Sequence, residues 1–245
     1  MKILFSPSEA KKPTLNPLTS PINSIICDRD EILQKYYDLI SSQDESILGQ
    51  IFGVKSANDI TKIKNLTMQK SYHKAVLMYD GVAYEALNYS NLDESSSRYI
   101  DENLLIFSNL YGVLRAGDYI QFYKLKQGEK ISQIDSAKYY KPRLDKVLDE
   151  ILEGEDILDL RAGYYDKFYS IKTPYITMKF LKNNKIVSHF AKYYRGLVLR
   201  DLALNKASNF DELMQIKFPN LSLLEIRKTK LKSELVFDIN DDCWI

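Results

Sequence analysis

Short apolar runs alternate with amphipathic helical patterns along the first two thirds of this sequence. The apolar runs predict β-strands at residues 3–5, 75–79, 104–107 and 157–160. Between them, apolar side chains recur at helical spacing and predict helices at residues 29–41, 45–52, 57–70, 82–87 and 138–153. Strands that alternate with helices in this way are typical of an α/β protein with a mixed sheet and surrounding helices.

The last third of the sequence has a different rhythm, which predicts a hairpin followed by further elements. Residues 175–180 and 185–191 read as strands on either side of Asn183-Asn184, and asparagine tolerates the positive φ of a tight turn. The elements predicted after this hairpin are helices at 192–206 and 211–216 and strands at 221–227 and 234–238. No linker rich in Gly, Ser or Pro interrupts the sequence, so we expect residues 1–245 to form one compact domain.

Charge is balanced over the whole chain but unevenly distributed along it. The 34 basic and 33 acidic residues give a formal net charge of +1, which by itself gives no support to nucleic-acid binding. Residues 167–206, however, contain nine lysines and arginines and a single acidic residue, Asp201. Such a cluster can create a strong local field, although lysines that only solvate a surface would give the same pattern.

Cysteine usage and hydrophobic runs indicate a cytoplasmic protein. Cys27 and Cys243 are the only cysteines, so the sequence has neither a disulfide framework nor a CxxC motif for zinc or redox chemistry. The first residues lack the pattern of a signal peptide, and no apolar run approaches the roughly 18 residues of a membrane-spanning helix. We therefore expect no membrane partner.

The sequence lacks the common motifs of cofactor and metal sites. GxGxxG and GxxxxGK(S/T), two loops that bind phosphates, are absent, and so is HExxH. His73 lies in a polar stretch and is expected to be exposed, whereas His189 follows a strand pattern and is expected to pack in the core. We predict no cofactor and no metal, and we assign no residue as catalytic.

Polar side chains follow the first predicted strand and form the first candidate site. Just beyond residues 3–5 come Ser6, Ser8, Glu9 and Lys11. Because α/β proteins place ligands beyond the carboxyl ends of strands, these hydroxyls, the carboxylate and the amine are candidates for ligand contact. The structural alternative is that Ser6 caps a turn next to the following proline.

Tyr84 comes shortly after a second predicted strand, residues 75–79, and follows the dipeptide Asp80-Gly81. Its position near a strand end makes the Tyr84 hydroxyl a candidate pocket group. The alternative is that Asp80 only caps the helix that follows.

The segment Leu110–Asp118, LYGVLRAGD, is the most specific motif of the sequence. Gly112 and Gly117 flank Arg115 after a predicted strand, so the backbone could approach a ligand closely. The forked donors of Arg115 suit a phosphate or a carboxylate, but Asp118 could instead neutralise Arg115 within the fold. The candidates from this segment and the next are Tyr111, Arg115, Asp118, Tyr123 and Lys124.

Residues 188–196, SHFAKYYRG, bring cations and aromatic residues together. On a helix Lys192 and Arg195 are neighbours three positions apart, whereas Arg200 points about 140° away from Arg195 at roughly 100° per residue. Near a helix N-terminus, Lys192 would add to backbone N–H groups that favour anions. Tyrosines 193 and 194 could stack on bases, although aromatic packing in the core explains them equally well.

These segments, in this order, resemble the YaaA family of bacterial peroxide stress proteins, and the resemblance spans nearly the whole chain. The matching elements are SPSEAK at 6–11, Tyr84 within DGVAYEAL, LYGVLRAGD with Tyr123-Lys124-Leu125, the AKxxRG run at 191–196 and the closing strand at 234–237. The sequence departs from many relatives at 160–165, where LRAGYY replaces LASxEY, and at 139–140, where two tyrosines replace an aromatic pair containing tryptophan.

The resemblance implies protection against hydrogen peroxide, by limiting free intracellular iron and so oxidative damage to DNA. It also implies binding of duplex DNA through a basic cleft, in an unusual α/β fold with a helix-hairpin-helix-like element. Under this interpretation the residues that contact DNA or another anion are Lys11, Arg115, Lys124, Lys192, Arg195 and Arg200. The polar residues left to line a pocket are Ser6, Ser8, Glu9, Tyr84, Tyr111, Asp118 and Tyr123.

Two hypotheses for function follow. The first is a DNA-binding protein without sequence preference, whose affinity falls steeply with salt. The second is an enzyme acting on a small anionic substrate such as a nucleotide or nucleobase, because Glu9 and Asp118 suit acid–base chemistry and are not needed to hold phosphate. A pocket enclosing Glu9, Arg115 and Lys192 favours the enzyme, whereas an open groove with lysines on both rims favours DNA. The sequence does not indicate the oligomeric state.

Overall fold

The computed structural model describes residues 1–22, 26–42, 44–183 and 185–240, with the backbone alone for Ile186, Ser188 and His189. The strands in these ranges are β1 (Lys2–Phe5), β2 (Tyr72–Lys74), β3 (Leu104–Ser108), β4 (Gly112–Arg115), β5 (Tyr119–Gln121), β6 (Ile157–Asp159), β7 (Tyr175–Lys182), β8 (Lys185–Ile186), β9 (Leu221–Lys228) and β10 (Lys232–Ile239). The helices are α1 (Asp30–Ser41), α2 (Glu45–Phe52), α3 (Ala57–Met68), α4 (Ala75–Met78), α5 (Val82–Leu87), α6 (Glu94–Asn103), α7 (Ser136–Ile151), α8 (Ser188–Asn205) and α9 (Phe210–Gln215). Short 3₁₀ turns lie at Tyr89–Asn91 and Gly163–Lys167.

Eight of these strands form one mixed sheet, which confirms the α/β fold class expected from the sequence. Its path is β4-β3-β1-β6-β7-β10-β9, and β8 extends it by pairing with β7. The strands from β3 to β10 along this path are parallel, whereas β4, β8 and β9 run antiparallel to their neighbours. β2 and β5 form a separate two-stranded ladder.

The parallel centre of the sheet carries the core. Ile3, Leu4, Ile106, Phe107 and Leu158 have no exposed surface. Adjacent residues on a strand point to opposite faces, so burial of Ile3 with Leu4 and of Ile106 with Phe107 means that both faces are covered. Each such side chain contributes roughly 2 kcal/mol relative to exposure, and together they hold the strand ends on which the site is built.

The order of the strands reverses at β1. β3 pairs with one side of β1, and β6 pairs with the other side. From β6 the sheet continues in that second direction to β7. A reversal of this kind leaves a crevice beyond the carboxyl ends of the strands, where α/β proteins bind ligands. Ser6, Asn109 and Leu160 follow β1, β3 and β6 at this edge of the sheet.

The strand predicted at residues 75–79 is wrong, because α4 occupies most of this run and the strand β2 precedes it. The run is buried, as a central strand would be, but a short apolar run cannot distinguish a buried strand from a buried helical turn. The backbone N–H of Ala75 donates to the carbonyl oxygen of Asp118 at 2.7 Å. A contact with a segment distant in sequence therefore fixes the point where the strand ends.

The predicted hairpin is present, but its second strand is much shorter than expected. β8 has two residues and pairs antiparallel with β7. Asn183 has a φ of 52°, as the turn requires, and Asn184 lies outside the described residues. α8 already begins at Ser188, so the strand placement of His189 is wrong, and the His189 side chain itself lies outside the described part of the chain. A short alternating pattern fits the first turn of a helix as well as a strand.

His73 is buried rather than exposed, which corrects the expectation drawn from its polar neighbours. It lies in β2 with 2% of its surface exposed. The loop after β1 covers it: Leu18 forms a bridge with Tyr72, and the Thr14 backbone N–H donates to His73 Nδ1 at 3.0 Å. Burial lowers the pKa of His73, so the imidazole stays neutral at neutral pH.

In the described ranges no helix is both long enough and apolar enough to cross a membrane. The same residues contain no group of three or more His, Cys, Asp or Glu side chains that could hold a metal ion.

Candidate functional site

A pocket of about 520 Å³ opens at the carboxyl ends of β1, β3 and β6, where the strand order reverses, and we call it the switch-point pocket. The residues singled out from the sequence that line it are Ser6, Ser8, Glu9, Lys11, Tyr84, Lys192 and Arg195. Lining residues that the sequence did not indicate include Asn109, Leu125, Gln127, Ala162 and Tyr165. The pocket therefore joins the first, second and fourth candidate segments of the sequence.

The loop after β1 is held by two other elements. Ser6 Oγ accepts a hydrogen bond from the backbone N–H of Ala162 at 2.7 Å, which ties the ends of β1 and β6 together. From α5, the Tyr84 hydroxyl donates to the carbonyl oxygen of Ser6 at 2.9 Å. Gly81 has a φ of 110°, and a Cβ at this position would lie 3.0 Å from Ser8 Oγ. These contacts fix one polar wall of the pocket.

Lys11 places its amine between this loop and two aromatic rings. Its Nζ donates to the carbonyl oxygen of Ser8 at 2.8 Å and lies 4.2 Å from the ring centre of Tyr123 and 5.2 Å from that of Tyr79. Burial of the amine, helped by the nearby charge of Lys124 and opposed by that of Glu9, lowers the pKa of Lys11 from 10.5 to about 7. A substantial fraction of Lys11 is therefore neutral at neutral pH.

A buried hydroxyl network supports Lys11 from below. The Tyr123 hydroxyl lies 2.9 Å from the Tyr79 hydroxyl and 2.8 Å from Ser108 Oγ. Burial raises the pKa of Tyr79 to about 12 and that of Tyr123 well above its usual value, so both phenols remain neutral. Tyr123, a predicted pocket residue, thus lies under the pocket and not in its wall.

Tyr111 packs deeper in the same region. Its ring contacts the ring of Tyr123 edge to face at 5.3 Å, and the Arg29 guanidinium lies 5.3 Å from its centre. The Tyr111 hydroxyl lies 3.5 Å from that of Tyr37. The structure therefore places Tyr111 in the core, away from the switch-point pocket.

Glu9 and Lys124 stand together at the rim. Glu9 Oε1 accepts from the backbone N–H of Gln127 at 3.0 Å, which orients the carboxylate. Lys124 Nζ donates to the carbonyl oxygen of Glu9 at 2.9 Å. Lys124 thus adds positive charge beside the pocket, and Glu9 contributes the one carboxylate among the described lining residues.

Helix α8 supplies Lys192 and Arg195 to the lining of the pocket. Gly196 allows this placement, because a Cβ there would lie 2.0 Å from the carbonyl oxygen of Ala83 in α5. Arg195 also lines a second cavity of about 450 Å³, in which Asp159 and other charged residues lie. The Arg195 guanidinium therefore forms part of the wall between two cavities.

Lys192 and Arg195 of α8 form no ion pair with a described residue. Burial lowers the pKa of Arg195, and the charge of Asp159, which lines the second cavity with it, opposes this shift. Neither side chain makes a hydrogen bond with a described residue, and Arg195 Nε is buried without a partner. Buried polar groups without partners are rare in native proteins and ask for a ligand, ion or water. Together with Lys11, these side chains give the switch-point pocket three basic groups, and their chemistry suits an anionic ligand.

Arg115 and Asp118 are not brought to this pocket. β4 runs antiparallel to β3, so Arg115 lies opposite Leu105 at the amino end of β3, whereas the pocket lies at its carboxyl end. The buried Asp118 carboxylate accepts from the backbone N–H of Arg115 at 2.9 Å and holds the turn after β4. The structure gives Asp118 this role in the turn.

Arg200 also lies away from the switch-point pocket. Its guanidinium donates to the carbonyl oxygens of Leu87 and Asn88, each at 3.1 Å. These carbonyls end α5, so Arg200 joins α5 to α8 on the side of α8 that Arg195 does not share. The angular separation expected from the sequence agrees with this placement.

Sequence reasoning missed the ion pair that anchors the wall after β6. Arg161 Nε and Nη2 donate to the two carboxylate oxygens of Asp159 at 2.8 and 2.9 Å, and its Nη1 donates to the carbonyl oxygens of Tyr165 and Tyr169. Both charged residues are buried. The signal was an acid and a base two residues apart at the end of an apolar strand. Arg161 belongs to the LRAGYY segment, where the sequence departs from the family pattern, and Asp159 directly precedes that segment.

A shallow basic depression of about 390 Å³ adjoins the pocket. Gln127 and Tyr165 line the pocket, and the residues next to them in sequence, Gly128 and Tyr164, line the depression. The lysines that line the depression are Lys138, Lys141 and Lys167. Lys167 Nζ lies 5.2 Å from the ring centre of Tyr164. Basic side chains therefore continue beyond the pocket along this surface.

Comparison with known proteins places these features in a family. The family model for the peroxide stress protein YaaA matches residues 1–226. An uncharacterized protein of Campylobacter jejuni is 47% identical over 248 residues, which cover 98% of this chain and all of that protein. A UPF0246 protein of Fusobacterium nucleatum is 28% identical over 91% of this chain and 93% of its own length. Another, from Malacoplasma penetrans, is 26% identical over 90% of this chain and 94% of its own.

Proposed function

The chain belongs to the family of the peroxide stress protein YaaA, and we propose that it acts in the peroxide stress response by binding duplex DNA without sequence preference. DNA phosphates contact the basic side chains of the switch-point pocket and its rim. The family resemblance implies two outcomes, less free iron in the cell and less oxidative damage to DNA. DNA binding accounts for the second of them. We include in this proposal that the DNA lies in a basic cleft and that the fold contains a helix-hairpin-helix-like element.

The observation that carries this proposal is the buried Arg195, because the carboxylate whose charge acts on it, Asp159, is already hydrogen-bonded to Arg161. Its buried Nε has no partner, and Lys192 one helical turn earlier has no counter-ion among the described residues. A phosphate supplies acceptor oxygens for a guanidinium fork and neutralises both charges. The overall charge of +1 does not oppose this, because the field at a site depends on nearby charges.

The neighbouring depression extends the contact surface. Lys124 stands at the rim of the pocket, and Lys138, Lys141 and Lys167 line the adjoining depression. Contacts of this kind bind the DNA backbone without reading its sequence. A backbone that crosses from Lys192 to Lys167 would meet cations on both sides of the pocket, as the DNA hypothesis requires.

The test is the affinity for one duplex at several salt concentrations. We expect the log affinity to fall linearly with log salt, with about 0.9 in slope for each phosphate neutralised. The Lys192→Ala/Arg195→Ala variant should bind more weakly and with a slope shallower by up to about 1.8. Lys206→Ala/Lys217→Ala, which removes two exposed cations on either side of α9, is the matched control and should keep both values. The Phe210 backbone N–H of α9 donates to the Asp156 carboxylate just before β6, so these cations lie at the amino edge of the sheet.

Weak binding that is indifferent to salt contradicts DNA binding. A loss of the same size in both double variants places binding elsewhere on the surface. Two unrelated duplex sequences should give the same affinity, because the proposed contacts are to the backbone.

A second candidate function, an enzyme acting on a small anionic substrate, is favoured by Lys11 and Glu9. A carboxylate and an amine that is partly deprotonated at neutral pH suit proton transfer within one pocket. The volume of about 520 Å³ lies within the range of small-molecule sites. Tight binding of a mononucleotide that Lys11→Gln abolishes, with weak binding of duplex DNA, would select this function over the first.

A further inference from the structure

Lys11 and Lys74 are two partly buried lysines with opposite surroundings. Lys74 Nζ contacts Asp101 Oδ2 at 2.5 Å and the Tyr89 hydroxyl at 2.6 Å, so its positive charge is compensated. Among the described residues, Lys11 Nζ has one acceptor, the carbonyl oxygen of Ser8 at 2.8 Å, and makes no ion pair with a carboxylate. The amine of Lys11 is thus the one of these two that the fold leaves open to a pocket.

This difference in surroundings changes the protonation of the two amines. Burial and the charge of Lys124 lower the pKa of Lys11 from 10.5 to about 7, whereas the partners of Lys74 raise the pKa of that residue. A decrease of this size raises the neutral fraction at pH 7 by roughly three orders of magnitude. A neutral amine in an enclosed pocket is a nucleophile toward carbonyl carbon.

The other groups of the pocket define the substrate that this amine could meet. Lys192 and Arg195 make no ion pair with a described residue, Arg195 Nε is buried without a hydrogen-bond partner, and both side chains suit a phosphate. Glu9 lines the same pocket and its charge acts on Lys11, so a carboxylate is present to move a proton. An anchored phosphate and an amine in a pocket of about 520 Å³ fit a phosphorylated sugar.

We propose that Lys11 forms a Schiff base with the open-chain aldehyde of a phosphorylated sugar held in the switch-point pocket. The phosphate would be held by the cations of the proposed DNA site, so this inference rests on the proposed function. Two sources share the chemistry: a free sugar phosphate, and the deoxyribose aldehyde at an abasic site in a DNA strand.

The step balances without an oxidant or a reductant. The Lys11 nitrogen lone pair forms a bond to the aldehyde carbon, and the carbonyl π electrons move to oxygen. Glu9 carries the two amine protons, one after the other, to that oxygen. The oxygen leaves as water while the nitrogen forms the C=N double bond. Return of water reverses the step and releases the sugar.

Borohydride reduction of the full-length protein tests this inference, because it converts a Schiff base into a stable amine adduct. The protein is incubated with ribose 5-phosphate, with a duplex containing one abasic site, or with the intact duplex, and borohydride is then added. We expect one adduct per chain in at least one of the first two arms, and the arm that gives it identifies the source. Peptide mass mapping of the native protein should place the adduct on Lys11, a result that needs no variant.

Variants sharpen the assignment. Lys11→Gln should lose the adduct, whereas Lys74→Arg, which keeps the ion pair with Asp101, should form it as the native protein does. Excess inorganic phosphate should reduce the yield by competing for Lys192 and Arg195. The yield should rise as pH increases from about 6 to 8, since the neutral fraction of Lys11 rises over this interval.

No adduct in any arm overturns the inference, and so does an adduct spread over several exposed lysines. The salt dependence of DNA affinity, measured on the same samples, separates the two proposals. Retained, salt-dependent binding without an adduct overturns Schiff-base formation and leaves DNA binding in place. Loss of specific salt-dependent binding together with the adduct overturns both.

Discussion

Gly196 in α8 lies against the carbonyl oxygen of Ala83 in α5, so closely that a Cβ at position 196 would be 2.0 Å from that oxygen. Both helices contribute to the lining of the switch-point pocket, α5 with Tyr84 and α8 with Arg195. The Arg195-Gly196 pair of the sequence thus has a physical meaning. The arginine faces the pocket, and the next residue has no side chain because another helix occupies its place.

Gly196→Ala should therefore separate α5 from α8. The added methyl group would also lie 2.8 Å from the Ala86 Cβ, so neither neighbour offers room. We expect the free energy of unfolding to fall by about 3 kcal/mol or more, measured by urea denaturation, with weaker DNA binding under native conditions. Gly163→Ala is the control, because its Cβ would lie an ordinary 3.7 Å from Asp166 Oδ2. A control change above about 0.5 kcal/mol, or no change in Gly196→Ala, contradicts this reasoning.

Lys11 should make stability depend on pH between about 7 and 10.5. In this interval the unfolded chain keeps the Lys11 proton while the folded chain, with a pKa of about 7, has lost it. The free energy of unfolding therefore rises with pH, by at most about 1.4 kcal/mol per pH unit from this residue. Below about pH 7 both states are protonated and the contribution no longer changes. Lys11→Met should flatten the dependence measured between about pH 7 and 9, and identical slopes in the two proteins would refute the lowered pKa.

The end of a parallel strand is the feature of this site that the sequence reveals best. Ser6, Ser8 and Glu9 follow an apolar run, and the rule that ligands lie beyond such runs needs no knowledge of distant contacts. Arg115 also comes after a predicted strand, residues 104–107, but the chain then turns back as the antiparallel strand β4 and carries Arg115 to the other edge of the sheet. Strand direction depends on pairing between distant segments, and local pattern does not encode it.

Burial by distant segments explains the other errors. His73 has polar neighbours in sequence, yet residues 14 and 18 from the loop after β1 cover it. α4 is a buried apolar run whose conformation depends on a hydrogen bond to Asp118. In both cases the local pattern is compatible with two structures, and a contact made far along the chain selects one of them.

The burial of His73 can be tested directly through the pKa of its imidazole. Its folded pKa is lowered by burial, so its contribution to stability is present above about pH 6.5 and is lost as pH falls below that value. An NMR titration should show one imidazole with a pKa below about 6.5 in the folded protein and an ordinary value in urea. His189→Gln assigns the remaining signal to His73. A normal or raised pKa would show that the loop after β1 does not cover this residue.

Cys27 should be unreactive in the folded protein. Its side chain is buried, and burial raises the pKa of the thiol to about 11. Because the thiolate is the reacting species, we expect modification by a disulfide reagent to be at least about a hundredfold slower in the native than in the unfolded protein. The measurement uses a Cys243→Ser background, so that only Cys27 reports. Rapid oxidation of Cys27 by hydrogen peroxide would contradict this and would make the thiol a candidate peroxide sensor.

Arg161 shows how a residue that does not line the switch-point pocket can still determine its shape. Its bidentate pair with Asp159 and its bonds to the Tyr165 and Tyr169 carbonyls hold the segment that supplies Ala162 and Tyr165 to the pocket. Arg161→Met leaves the Asp159 carboxylate buried without its partner, and we expect a loss of about 3–5 kcal/mol in unfolding free energy.

The companion variant Arg161→Met/Asp159→Asn removes the buried charge as well, so it should regain part of the stability. It does not restore the bonds to the two tyrosine carbonyls, so DNA affinity should stay low even where stability returns. Urea denaturation and salt-dependent DNA binding of both variants separate the two effects. If the double variant recovers stability and affinity together, Arg161 serves only to neutralise Asp159. If affinity stays low, the guanidinium positions the wall of the pocket through its bond to the Tyr165 carbonyl.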